Sequence, residues 1–246
     1  MNKTSTTSAS RRNRSSIARL ASMIALAASA IALQRFANSA EQATKIPPPA
    51  QDEKVVATHS ETAVFAGGCF WGMQGVFEHV RGVQQVASGY TGGAAGTANY
   101  ETVEEGDSGH AESVLVTYDP TQITYGRLLQ IFFSVAHDPT ELNYQGPDHG
   151  TQYRSAVFPV NPDQRSVAQA YIAQLGKAHV FSTPIVTRVE NFNGFYPAEA
   201  YHQNFLALHP DDPYIVFNEL PKLGNLKKTF PDLYLRDPIL LKTTTT

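Results

Sequence analysis

Hydrophobic positions along the chain switch repeatedly between a continuous or alternating pattern and a helical one. Residues 63–66 are an unbroken apolar run that stops at Gly67-Gly68, which predicts a short buried strand. From Cys69 to Val80 the apolar residues Phe70, Met73, Phe77 and Val80 recur every three or four positions and predict a helix. Residues 83–90 read as a strand and 92–99 as a Gly-containing loop. Residues 113–118 are strand-like up to the breaker Asp119-Pro120. Leu128, Leu129, Phe132 and Phe133 predict an apolar helix over 125–135, followed by a polar loop over 137–152. Residues 155–160 and 185–190 read as strands. Between them a helix over 162–178 has Asn161 as N-cap and Pro162 in its first turn. Short helices and loops make up the remainder. Strands alternating with helices, some joined by hairpin-like connections, predict one α/β (α+β) domain with a mixed sheet.

The ends of the chain depart from this pattern. Six of the nineteen basic residues (Lys3, Arg11, Arg12, Arg14, Arg19 and Arg35) lie in the first forty, where no acid occurs. An Ala-rich apolar run over 20–33 follows, then the small residues Ala37, Asn38, Ser39 and Ala40. Basic region, short apolar region and small-residue site are the order of an export signal. Residues 1–40 are therefore expected to be a targeting signal that is cleaved. The run is short for a membrane span, which needs about 20 apolar residues. An extracytoplasmic location in a bacterial periplasm or envelope follows, with an organelle transit peptide or a retained membrane anchor as alternatives. Residues 41–61, polar and containing Pro47-Pro48-Pro49, are expected to be a flexible linker. The folded domain is placed at 62–222 and a C-terminal extension at 223–246.

Composition narrows the function. The chain has 246 residues and a net charge of −3, and without its leader thirteen basic residues face twenty-two acidic ones. That balance argues against nucleic acid as the main partner. One cysteine excludes an internal disulfide framework and any Cys-rich zinc module. The eight histidines are scattered with no metal-binding spacing, and the glycines near 89–96 lack a following Lys-Ser or Lys-Thr for a phosphate loop.

The only cysteine and the only tryptophan lie two residues apart in Gly67-Gly68-Cys69-Phe70-Trp71-Gly72. Cys69 falls where a strand ends, glycines permit a sharp turn and a helix begins. Unpaired N–H groups and the helix dipole there are expected to lower the thiol pKa. The competing reading is a small buried hydrophobe.

Together with four further segments this hexapeptide resembles the A-type peptide methionine sulfoxide reductases. The others are Gly89-Tyr90-Thr91-Gly92-Gly93, Gly109-His110-Ala111-Glu112, Asp148-His149-Gly150-Thr151-Gln152-Tyr153-Arg154-Ser155, and Phe195-Tyr196-Pro197-Ala198-Glu199 with Tyr201-His202-Gln203. The resemblance implies a two-layer, ferredoxin-like α/β sandwich and a catalytic domain over 62–222. It implies reduction of the S epimer of methionine sulfoxide, in proteins and free, as repair of oxidative damage. By position, Cys69 would be the nucleophile and Glu112 the acid, at the edge of the sheet beside it. Tyr100 and Tyr153 would bind the sulfoxide oxygen, Asp148 would orient a water, and Phe70 and Trp71 would form the methyl pocket. Around Tyr100 the chain reads Thr97-Ala98-Asn99, without the family's usual proline.

No cofactor or metal is implied, and a monomer is expected. Many relatives carry further cysteines near the C-terminus; this chain has none, so its reductant must be an external thiol, thioredoxin-like or glutaredoxin-like. Two other classes stay open at this point. One is a Cys-His hydrolase using His110, His149 or His202. The other is a non-catalytic peptide-binding module in which Cys69 is merely packed.

Overall fold

The apolar run at 63–66 forms the middle of β1 (Glu61–Ala66), and Gly67-Gly68 turns the chain into helix α1 (Phe70–Glu78). The computed structural model describes residues 43–54 and 58–242; the expected leader at 1–40 lies outside the described residues. Strands β2 (Val83–Thr91) and β3 (Ala111–Tyr118) enclose a loop with a short helix, α2 (Tyr100–Glu104). Helix α3 (Tyr125–Ile131) continues as a π-helical turn, Phe132–Ala136. A two-residue hairpin, β4 (Tyr144–Gln145) and β5 (Asp148–His149), interrupts the loop expected over 137–152. Then come β6 (Ala156–Val157), α4 (Pro162–Lys177), β7 (Arg188–Val189) and β8 (Phe195–Pro197). Helices α5 (Phe205–Leu208) and α6 (Leu220–Thr229) close the domain, with a π-helical turn Ile215–Glu219 leading into α6.

The main sheet runs β7-β6-β1-β3-β2-β8. Its centre, β6-β1-β3-β2, is antiparallel and is connected β-α-β-β-α-β, the ferredoxin-like arrangement. Among the described strands only β7 pairs in parallel, with β6, so the sheet is mixed as the sequence predicts. Register explains the core. Phe65 pairs with Val114 and Ala63 with Val116, on the face covered by α1 and α3. Phe65 stacks on Phe77, Tyr125 and Phe132 with ring centroids 5.4, 6.1 and 5.1 Å away. Each such ring contributes roughly 1.5–3 kcal/mol by burial. The alternate residues Val64 and Ala66 face a smaller cluster around Phe158.

Some elements are shorter than their apolar runs. The strand expected at 155–160 is regular only over β6; the Phe158 N–H still reaches the Val64 carbonyl at 3.0 Å, and Pro159 after it has no N–H to donate to a ladder. The strand at 185–190 is reduced to β7. Edge strand β8 was not foreseen: three residues between Gly194 and Ala198 carry no alternation.

Residues 43–54, where the sequence predicts a linker, have no helix or strand but lie along α3 and α4. Ile46 is buried in the core, the Gln130 side chain donates to its carbonyl at 3.0 Å, and the Tyr171 hydroxyl donates to the Pro47 carbonyl at 2.6 Å. The boundary placed after Lys222 falls inside α6. Leu226 and Phe230 beyond it are core residues, and Asn204 exchanges two hydrogen bonds with the backbone of Leu241. Among the described residues no helix is long and apolar enough to cross a membrane.

Candidate active site

Cys69 is the N-cap residue of α1, at the end of the turn from β1. Gly68 makes that turn at φ +88°, and a Cβ there would lie 2.6 Å from the Gln145 side chain. A side chain at 68 would thus be strained twice over. Cys69 is only 8% exposed.

Glu112 comes to Cys69 from the sheet. Its register partner is Tyr90, one pair beyond Val114 on the helix-covered face, so its carboxyl meets the first turn of α1. There Oε2 accepts the Phe70 N–H at 3.0 Å. β3 is an interior strand, so the expected position at the sheet edge is corrected to the end of a central strand. Burial pushes the Glu112 pKa up to about 8, against the Phe70 hydrogen bond, which lowers it; Asp148 and Glu219 add to the rise. At neutral pH the group is chiefly a protonated acid.

The thiol departs from expectation. Its pKa is raised well above its ordinary value, by burial first and then by Glu112, Glu219 and Asp148. The helix terminus does not reverse this. The N–H of Phe70 already serves Glu112, and the backbone hydrogen bond from Trp71 is outweighed. Cys69 without substrate is a thiol, not the thiolate its sequence position suggests.

The other residues singled out converge here. Tyr100 opens α2, with its N–H donating to Glu199 at 3.0 Å; Tyr153 ends the turn Thr151–Tyr153. The pKa values of both are raised by burial, Tyr100 to about 12, and ionisation of the neighbouring Glu112 or Cys69 would raise them further. Both phenols therefore remain hydrogen-bond donors. Buried Arg154 fixes the Tyr153 turn. Its guanidinium pairs bidentately with Glu190 at 2.8 and 3.1 Å and donates to the carbonyls of Gly109 and His110 just before β3. Asp148 enters from β5. Phe70 is buried, whereas Trp71 is partly exposed and stacks on Phe205 at 3.8 Å. The Trp71 N–H donates to His202 Nδ1 at 3.1 Å, which orients the indole.

The hydrolase alternative loses its base. His110 accepts from the Gly93 N–H and reaches the Ala94 carbonyl, so both its ring nitrogens are engaged. His149 is exposed and stacks on Tyr144, while His202 Nδ1 serves Trp71. Among the described residues no cluster of side chains could hold a metal ion.

Three residues here escaped the sequence reading. The Tyr214 hydroxyl donates to Asp148 Oδ2 and lies 3.3 Å from Glu219 Oε1. Lys222 Nζ sits 3.0 Å from Glu219 Oε2, both side chains nearly fully buried. A signal existed. Ile215, Glu219, Lys222 and Leu226 follow the spacing of one helix face, so the two charges occupy core positions.

Comparison with solved structures agrees with this architecture. The reduced form of Mxr1 from Saccharomyces cerevisiae is 32% identical with a TM-score of 0.56, covering 64% of this chain and 90% of that one. Methionine sulfoxide reductase A of Corynebacterium diphtheriae is 30% identical with a TM-score of 0.53, over 70% and 89%. The fold is that of methionine sulfoxide reductases. The family profile described as peptide methionine sulfoxide reductase matches residues 61–233, and the chain belongs to this family. Among its relatives, peptide methionine sulfoxide reductase MsrA 2 of Mesorhizobium japonicum is 62% identical over 77% of this chain and 97% of its own. The protein of the same name from Synechocystis is 52% identical over 76% and 89%. These relatives place the chain in the A type, the enzyme class of peptide-methionine (S)-S-oxide reductases.

Proposed function

We propose that this enzyme reduces the S epimer of methionine sulfoxide, in proteins and free, through Cys69, and that an external thiol recycles it. The observation that carries the reading is the buried, protonated Glu112 carboxyl on the N–H of Phe70, one residue from the thiol. In this reading Tyr100 and Tyr153 donate to the sulfoxide oxygen and Asp148 orients a water. Phe70 and Trp71 take the S-methyl group, a polarisable methyl-sulfur unit against aromatic faces. Sγ bonds to the sulfoxide sulfur while Glu112 gives its proton to the oxygen. The hydroxyl then passes to Sγ as both the S–O bond and the new Sγ–S bond break; one electron pair returns to the methionine sulfur as its lone pair, methionine leaves, and Cys69 carries the oxygen as a sulfenic acid. The thiol proton replaces the one Glu112 gave, so the step is neutral overall. That matters in a pocket crowded with carboxyls.

Cys69 is the only cysteine in the chain, so its sulfenic acid has no internal thiol to condense with. One external thiol forms a mixed disulfide and releases water; a second restores Cys69. A dithiol protein such as a thioredoxin supplies both in one encounter. Mixing reduced enzyme with an excess of each separated epimer, and no reductant, tests the whole scheme. The S epimer should yield one equivalent of methionine and then arrest, with Cys69 heavier by one oxygen. Turnover of the R epimer, a second equivalent, or a hydrolytic product would each overturn it.

We further propose that residues 1–40 direct export, supported by the basic, acid-free leader and the small residues before Glu41. N-terminal sequencing of the protein from its native cells should begin near Glu41. Soluble cytoplasmic protein starting at Met1 or Asn2 would refute export.

A further inference from the structure

The chemistry proposed above makes no use of the Lys222–Glu219 pair. Its side chains are 4% and 2% exposed. A buried ion pair is a poor stabiliser: desolvating two charges costs about as much as their attraction returns, and well-packed apolar residues do as well. The location of the pair is more informative. Gly72 lies in the first turn of α1, and a Cβ there would land on the Glu219 carboxylate. The pair is thus built against the same turn that begins at Cys69. From it a chain of polar contacts runs inward: the Lys222–Glu219 ion pair at Oε2, then the Tyr214 hydroxyl, which bridges the other Glu219 oxygen and Asp148. Tyr214 has one phenolic proton and gives it to Asp148 in the shorter contact, with Glu219 as the weaker second acceptor. Its ring also stands edge-on to Trp71, 5.8 Å between centroids at 83°. One side chain therefore touches both the pocket carboxylate and the wall assigned to the methyl group.

We propose that Glu219 and Lys222 are positioning residues for the sulfoxide pocket: the buried pair fixes the Tyr214 hydroxyl on Asp148, and so holds that carboxylate and the Trp71 ring in place beside Cys69. The inference rests on the assignment of Cys69, Asp148 and Trp71 made above. It accounts for three features at once: a lysine on the buried face of α6, a glycine where a helix would accept alanine, and a phenol aimed at Asp148.

The electrostatics agree with the geometry. Burial raises the Asp148 pKa, Tyr214 lowers it, Glu219 raises it, and Lys222 and His149 lower it. Tyr214, its own pKa raised by burial, remains a donor. The groups that bear on Cys69 are Glu112 from β3, Asp148 from β5, Glu219 from the π-helical turn, and the phenols Tyr100, Tyr153 and Tyr214. Lys222 offsets two of these carboxylates, and Glu141 and His137 also feel its charge.

The test uses the chain as it is, because Cys69 is its only thiol. Iodoacetamide alkylation of the substrate-free protein is followed against pH, and kcat and KM are measured on the same samples. Lys222→Met leaves Glu219 and Asp148 uncompensated. The alkylation midpoint should rise by about one pH unit, a tenfold slower reaction at a fixed pH below it. Adding Glu219→Gln to Lys222→Met should bring the midpoint back to the parent value or below. Lys222→Arg should keep the parental profile. Tyr214→Phe removes only the link and should lower kcat about tenfold, as the loss of a supporting hydrogen bond typically does. If Lys222→Met does not fold, Tyr214→Phe and Lys222→Arg still decide. Parental alkylation profiles and kcat in Lys222→Met and Tyr214→Phe, with only Tm lowered, would overturn the proposal. A parent enzyme that alkylates normally but reduces no sulfoxide would instead overturn the proposed function.

Discussion

Replacing Cys69 by serine will abolish sulfoxide reduction while leaving the fold in place. The substitution exchanges sulfur for oxygen at a buried N-cap position, where serine is itself favoured, so melting should move by only a few degrees. Activity is another matter. A hydroxyl in this pocket faces the same burial and the same three carboxyls that push the thiol pKa up, starting from a far weaker acid. It also lacks sulfur's capacity to carry the transferred oxygen as a stable sulfenic acid. The loss should be on the order of 10⁴-fold or more, as when a covalent nucleophile is removed elsewhere. Turnover within about tenfold of the parent would remove Cys69 from the reaction.

Glu112→Gln should cost roughly 10²-fold in rate, the usual contribution of a positioned general acid. Glutamine keeps an acceptor for the Phe70 N–H, so the turn into α1 persists while the proton donor is gone. The parent should lose rate as pH rises past about 8, where Glu112 ionises, and the variant should lack that limb. Stability carries the same signature. The Glu112 pKa is raised from 4.5 to about 8 in the folded chain, so folding favours the protonated form. The contribution is full below pH 4.5 and is lost as pH climbs through about 8. Glu78, also raised to about 8 by burial, behaves alike and will remain in the variant. Urea titrations at pH 5 and pH 9 should therefore show a smaller pH-dependent loss in Glu112→Gln than in the parent. An equal loss would mean that Glu112 is already ionised in the folded enzyme.

The legible part of the site was the part held by short-range structure. Cys69, Phe70 and Trp71 stand on one turn, and Tyr153 and Asp148 belong to one compact segment; motif and local geometry coincide there. The ionisation of Cys69 was not legible. It depends on Glu112 taking the N–H that the helix would otherwise offer, and on Asp148 and Glu219 arriving from 79 and 150 residues downstream. Tyr214, Glu219 and Lys222 were missed for a related reason. Their meaning lies in what they touch across the domain, and only the misfit of two charges on a buried helix face hints at it. In the fold, the mixed α/β sheet followed from alternating strand and helix patterns, and its ferredoxin-like order from the family resemblance. The β4–β5 hairpin and edge strand β8 did not, since so few positions carry no period, while β6 and β7 were placed by their apolar runs but came out shorter.

The strap at 43–54 bears on the order in which this molecule assembles. It is made before every other described element, yet its partners on α3 and α4 are made far later. Ile46 waits for Gln130, and Pro47, Pro48 and Ala50 wait for Tyr171 and Gln174, 124 to 126 residues later. On a ribosome, the strap has no partners until both helices have emerged. Closing so long a loop is entropically costly and belongs late in folding. Contacts formed after the rate-limiting step chiefly slow unfolding. The strap thus acts as a clasp, and it governs how long the finished domain persists more than how fast it forms.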